Sequence, residues 1–514
     1  MINAFFKKNG FLCLYYLSLI LLVLLFVFPI SYLLINYFSL QSFTEVIGTS
    51  YFRRIFFNTF KQAFLSALGS GLFALPFLFL VCRRSFRFKK FLLVTSYIPF
   101  VVPSIIMVLA FVLLFGKNSV FHNVNILYSL KAVILAHSFY NFPLVLHTVY
   151  SAYMKRSLKC ENVAQTLGSK PLYTFSHFTL PSLKKPFFSS LLLAFMYSFS
   201  SFAIVLTLGG GVRNSTLEVE IYRNFKVSMD KEIGTAYAIV SFLFVLLFLI
   251  LYKVLFFKGR DEKSERECPL KKGNYMDSLF ALVLSFIVLL PFLEIIFSLF
   301  KGGFVERGRS ATNSLERVFA HPEVFLNSLL IALFSSVIVL FFAFVIAEYN
   351  TRYTRKYLGI FSFLPLSISS IALSEGYRMF ASDSYFKIIL VSSLLNALFS
   401  FPLVYGIVEK GVDSIPLSVQ KAPLTLGSSV LKAVFRVDLR AIRKVMMRAF
   451  ALAFSLSIGE VSSALLFSSN NFATISTSIY SFISRYDYRS GVIMGVILLL
   501  FSSLSVFILL KERD

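Results

Sequence analysis

The chain has no tryptophan, four cysteines and five histidines among 514 residues. Only 15% of it is charged, against roughly 25% in soluble domains. Acids are the scarcer charge: 25 Asp and Glu face 50 Lys and Arg, a formal net charge of +25. Each shortage excludes something. Cys13, Cys82, Cys160 and Cys268 are nowhere paired at metal-ligand spacing, and fall at the ends of apolar runs or in basic segments, so they read as reduced and inert. His122, His137, His147, His177 and His321 are scattered and form no metal cluster with them. No Gly-x4-Gly-Lys-[Ser/Thr] string occurs, and no nucleophile–base pair is recognisable, so the chain is not expected to hydrolyse ATP by itself. The missing tryptophan, beside 63 phenylalanines, fits AT-rich coding and says nothing about mechanism.

What is present is apolar. The chain is 57% hydrophobic with a mean hydropathy of +0.78, and apolar runs long enough to cross a bilayer recur along it. This predicts an all-α polytopic membrane protein. A basic excess in a soluble protein would point to nucleic acid. Here the charge sits in short loops between spans, the positive-inside pattern, and no nucleic-acid partner is expected. Twelve spans are expected, at about 11–37, 56–81, 91–115, 132–152, 187–208 and 235–257, then 277–300, 326–348, 358–380, 386–408, 446–468 and 489–510. Pro99 and Pro103 are expected to kink the third. The first run lacks a small-residue cleavage site and reads as an uncleaved span. The Arg83–Lys90 loop is basic without an acid and is placed inside; loops 209–234 and 469–487 are placed outside; both termini are expected in the cytoplasm. The string KGRDEKSERECPLKKG within 258–276 is polar without periodicity, a flexible joint. Residues 1–257 and 277–514 are thus expected as two parallel six-span halves.

One polar stretch organises the rest. Residues 161–186 read ENVAQTLGSKPLYTFSHFTLPSLKKP between two apolar runs. Gly168 can take positive φ and Pro171 suits a first helical turn, so two short helices are expected to meet there. Residues 419–444, VQKAPLTLGSSVLKAVFRVDLRAIRK, repeat it: Thr-Leu-Gly-Ser recurs at 166–169 and 425–428, and aligning Gly168 with Gly427 sets Leu180 on Leu439. Phe142-Pro143-Leu144-Val145 recurs as Phe401-Pro402-Leu403-Val404, Thr216…Ile221-Tyr222 as Thr474…Ile479-Tyr480, and more loosely Asn58-Thr59 as Asn327-Ser328. The same order throughout marks an internal duplication with a period of about half the chain.

These stretches resemble the coupling segment of ABC importer permeases, whose pattern is Glu-Ala-Ala, three residues, Gly, then Leu-Pro further on. Ala164, Gly168, Leu180 and Pro181 match; the family's Glu falls on Asn162, with Glu161 one place early. The second copy carries Lys421 for the Glu, then Ala422, with Pro423 for an Ala and Arg440 for the Pro, and keeps Leu426, Gly427 and Leu439. The string Leu208-Gly209-Gly210-Gly211, Thr216-Leu217-Glu218, Ile221-Tyr222 resembles the ferric-iron and thiamine branch of that family, as does Ser457-Ile458-Gly459-Glu460. By itself the glycine run reads as a span-ending loop, not a phosphate cradle. The resemblance implies a type I permease fold in a bacterial inner membrane, with coupling segments at 155–186 and 410–445. It further implies two copies of a separate ATPase, which bind the ATP, inside, and a periplasmic or lipid-anchored solute-binding protein outside. No cofactor is expected in the chain. A secondary transporter with a 6+6 repeat is the alternative; it would need sites in the membrane and no cytosolic helix-turn-helix.

Four residues inside spans are candidates for the translocation path. Glu460 and Glu294 are costly in lipid and are expected to face the bundle interior, as path or gate or else as helix-locking hydrogen bonds. Asn141 and Asn396, just before the repeated Phe-Pro-Leu-Val, read as interhelical hydrogen-bonding residues, with path lining as the other role.

Overall fold

The computed structural model describes residues 2–116, 119, 121, 123, 124, 126–154, 163, 164, 166–256, 271–300, 311–352, 364–381, 384–468 and 472–511. Among them the fold is helical, apart from a two-residue parallel pairing of Arg84–Ser85 with Lys271–Lys272. That pairing docks the end of the linker expected to be a free joint; its residues 258–270 lie outside the described ones. Helices dominate because lipid offers the backbone no hydrogen-bond partner, so each span must satisfy its own.

Eight described helices are long and apolar enough to cross a membrane: Gly10–Tyr37, Ser50–Cys82, Leu130–Met154, Lys231–Phe256, Tyr275–Ser298, Glu323–Arg352, Tyr385–Asp413 and Arg443–Phe467. Lys89–Val101 and Ser104–Phe115 make a ninth if they count as one span, but they meet at 101°. The expected kink is thus a break. Val102 is extended (ψ 136°), as a residue before proline is driven to be. Ser104–Phe115 is apolar all round, and Ile105 to Leu114 are all buried. The expected span 187–208 is two helices, Lys184–Phe199 and Ala203–Leu208, and Arg443–Ile458 is likewise separated from Ser462–Phe467. The expected span 358–380 begins outside the described residues; its described part holds Ser370–Gly376 and Arg378–Ala381. The segments 209–234 and 469–487, expected outside, are more than loops. They carry the helices Leu217–Tyr222 and Ile475–Ser484, with Leu217, Ile221, Ile475 and Ile479 fully buried.

The chain packs as two compact units that do not follow the sequence halves. One holds residues 1–48, 220–242 and 309–514; the other holds 49–219 and 243–308. In the first unit the helix Ile2–Tyr37 packs on Glu323–Arg352 and Ser370–Gly376, where Gly376 lies so close to Pro29 that an added Cβ would stand 2.6 Å away. In the second unit Tyr275–Ser298 packs on Lys89–Thr95 and Ser104–Phe115. Each half's first helix therefore joins the unit built around the other half.

The duplication reappears as geometry. A π turn, Phe175–Thr179, runs into Leu180–Ser182, a bend at Leu183 (φ −100°, ψ 11°) and the helix Lys184–Phe199. The second copy gives Val434–Asp438, Leu439–Ala441, a bend at Ile442 (φ −100°, ψ 16°) and Arg443–Ile458. The loosely matched pair proves equivalent too. Asn58 Nδ2 donates to Arg213 O (2.9 Å), and Thr59 Oγ1 accepts from Leu217 N (3.0 Å). Asn327 Nδ2 donates to Ala473 O (2.9 Å), and Ser328 Oγ accepts from Ile475 N (2.8 Å). Each pair hooks the start of a short helix to a span by satisfying backbone groups the helix leaves open.

Candidate coupling surfaces and buried polar residues

Both polar stretches make a tight turn at a glycine into a short helix, and in the second copy the helix Leu417–Thr425 precedes the turn. Gly168 has φ +81° and Gly427 φ +80°. Ser169 N donates to Ala164 O (3.0 Å), and Ser428 N donates to Pro423 O (3.0 Å). This is the Schellman closure, in which a left-handed residue lets the next amide reach back five residues. Pro171 opens the next helix after Lys170; in the second copy Ser429 caps it, its side chain accepting from Lys432 N (3.4 Å).

The residue before each glycine is the telling one. Leu167 is 83% exposed and Leu426 84%. A fully exposed leucine costs little alone, but two at matching turns are docking candidates. Beside Leu167 lies an open groove of about 370 Å³ lined by Ala164, Gly168, Ser169, Tyr173 and Phe178. Leu180, Pro181 and Leu439 are half-buried at the base, while Lys421 and Ala422 are exposed. Leu439 belongs to an apolar cluster that seats the second segment on Phe344 and Tyr15. Glu161 and Asn162 lie outside the described residues.

The four in-span candidates separate. Asn141 Nδ2 donates to Ser198 Oγ (3.0 Å). Asn396 Nδ2 donates to Ser457 O (3.1 Å), and its Oδ1 accepts from Ser463 Oγ (3.2 Å). Ser198 and Ser457 are equivalent in the repeat, so asparagines one helical turn apart in register tie equivalent pairs of helices in the two copies. Glu460 sits in the break before Ser462–Phe467, where its Oε1 accepts from Ser462 N (2.9 Å), an acid at a helix N-terminus. Glu294 is half-buried on Tyr275–Ser298, in the other compact unit.

Sequence reasoning passed over a charged group at Glu375. It is 2% exposed and pairs with Lys231 Nζ (3.3 Å) and Arg378 Nη1 (3.3 Å). Lys231 also reaches the Tyr37 hydroxyl (3.2 Å). Nearby Lys226 Nζ donates to Leu466 O (2.8 Å) and Ser468 O (3.0 Å), a cation on the last carbonyls of a helix. Burial holds the Lys226 ammonium below its usual range; Arg378 adds to this and Glu375 opposes it. Glu375 inside an expected span was the available signal.

Residues 80–260 match the family described as the inner membrane component of binding-protein-dependent transport systems. With the fold and the repeated surface turns, this makes the chain similar to the permeases of ABC importers. It is 23% identical over 485 residues to the thiamine transport system permease protein ThiP of Haemophilus influenzae, covering 89% of this chain and 88% of that protein. It is 25% identical to the protein of that name from Salmonella typhimurium, covering 88% and 87%. The Fe(3+)-transport system permease protein FbpB 2 of Haemophilus influenzae is 25% identical, covering 87% of each. Those relatives are permease proteins, in keeping with the missing nucleotide-binding loop.

Proposed function

We propose that this chain forms the whole translocation unit of an ATP-driven, binding-protein-dependent importer for a small solute of the thiamine or ferric-iron class. Two ATPase subunits, which bind the ATP, grip the turns at Leu167 and Leu426 from the cytoplasm. One solute-binding protein delivers cargo from outside. ATP binding closes the ATPase pair, the segments transmit the movement, and the membrane helices alternate between outward and inward access. The single observation that supports this most is the pair of equivalent turns, each presenting a leucine more than four-fifths exposed in front of a left-handed glycine. The solute class rests on the names of the relatives.

The test is uptake by proteoliposomes holding the permease, a partner ATPase and the matching binding protein. Labelled thiamine or ferric iron is expected to enter only with ATP and the binding protein. Uptake driven by a proton gradient without ATP would instead identify a secondary transporter. Topology gives a second check. A reporter active only outside the cytoplasm is expected to work when fused at Asn214 and to fail at Lys170, because basic loops are retained inside. The inverse pattern would remove both turns from the cytoplasm and end the importer reading.

A further inference from the structure

The second coupling segment is held to its span by buried charge. At the end of Glu323–Arg352, Arg352 Nε donates to Glu348 Oε1 (2.6 Å) and its Nη2 donates to Asp438 Oδ2. Asp438 closes the π turn of the second segment and is fully buried, as is Glu348. The neighbouring residues extend the polar joint. Asn350 Nδ2 donates to the Tyr405 hydroxyl (3.0 Å), which donates to Glu409 Oε1 (2.9 Å). Thr351 Oγ1 donates to Asp413 Oδ1 (3.0 Å). One span end is thus bonded both to the segment and to the helix Tyr385–Asp413.

The first copy keeps an arginine, Arg83, opposite Arg352, and carries no carboxylate at the positions opposite Glu348 and Asp438. The register that sets Asn58 opposite Asn327 sets Phe79 opposite Glu348, Val81 opposite Asn350 and Cys82 opposite Thr351. The register that sets Gly168 opposite Gly427 sets Leu146 opposite Tyr405 and Thr179 opposite Asp438. There the Phe79 ring meets Phe175 of the π turn edge-on, centroids 5.3 Å apart.

We propose that Arg352 is a positioning residue for coupling: through Asp438 it makes the second segment move as one body with the helices Glu323–Arg352 and Tyr385–Asp413. The physical reason is direction. A guanidinium shared by two carboxylates fixes distance and orientation, and a buried one cannot be exchanged for water without stranding charge. The proposal rests on the coupling role assigned to these segments.

The experiment substitutes the first copy's own residue, Asp438→Thr, which leaves the Glu348–Arg352 pair intact. Amide hydrogen exchange is followed in the full chain in lipid nanodiscs. Amides of 430–441 are expected to exchange about tenfold faster or more, the scale of a lost charged hydrogen bond, with 171–182 unchanged. In the reconstituted complex, solute moved per ATP hydrolysed is expected to fall. Arg352→Gln, which leaves the segment's own residues untouched, is read in parallel and should give the same pattern even if Asp438→Thr folds poorly. Unchanged exchange at 430–441, an equal rise in both segments, or undiminished transport per ATP would overturn the proposal. Absence of ATP-dependent uptake by the unmodified complex would sink the importer reading instead, and exchange in the permease alone keeps that outcome separate.

Discussion

Leu167→Asp and Leu426→Asp are each expected to abolish the stimulation of ATP hydrolysis by loaded binding protein in reconstituted vesicles, with the permease still inserted. Both leucines stand almost free of their own protein, at 83% and 84% exposure, so neither supports the permease fold. Any contribution they make lies in what they dock against. Burying a leucine is worth roughly 1.5–3 kcal/mol, about ten- to a hundredfold in affinity. The aspartate removes that term and adds the cost of desolvating a charge. Lys421→Ala tests the competing idea that charge carries the contact. Lys421 is exposed, and an exposed ion pair is worth roughly 0–1 kcal/mol, so its loss is expected to change stimulation little. The lysine also stands where the first copy has no basic residue, so a charge contact could not be the same at both segments. Full stimulation in both leucine variants, or its loss in Lys421→Ala, would show that packing is not the source.

The duplication was legible because it is written in local strings. Gly168 and Gly427 need no neighbour to announce a left-handed turn, and Phe-Pro-Leu-Val or Asn-Thr against Asn-Ser can be matched by eye. The spans were legible as apolar runs, yet their breaks were not. Residues 200–202 and 459–461 interrupt two of them without altering the hydropathy that a window reads. The 101° corner at Val102–Pro103 was expected only as a kink, since proline alone does not say whether neighbouring helices will let the chain turn. The exchange of first helices between units was hidden for a different reason. Span order fixes which side a helix ends on, not which neighbours cover it. The Glu348–Arg352–Asp438 joint shared that obscurity: Glu348 and Arg352 form an i, i+4 pair readable at the end of an apolar run, but Asp438 reaches them only once the second segment has folded back. Asn141 and Asn396 were read as interhelical hydrogen-bonding residues, and each ties its helix to the position shared by Ser198 and Ser457.

Gly168→Pro is expected to stop transport while leaving the amount of inserted permease near that of the unmodified protein. Gly168 holds φ +81°, and proline is confined near −65°. The turn cannot keep its shape with proline there. Losing it breaks the Ser169–Ala164 closure and re-aims Leu167 relative to the helix beginning at Pro171. Insertion is unaffected because its signal lies in the apolar helices on either side. Gly168→Ala separates backbone from bulk. An added Cβ meets nothing within 4 Å, so the whole penalty is the left-handed conformation, about 1–2 kcal/mol. The alanine variant is therefore expected to transport at an intermediate rate, with Gly427→Ala (φ +80°, equally open) matching it. The measurement is initial uptake rate in vesicles, normalised to permease content. Uptake at the unmodified rate with proline at 168 would mean that the turn does not transmit movement. An alanine variant as inactive as the proline one would mean that space, and not backbone conformation, is what the partner requires of this glycine.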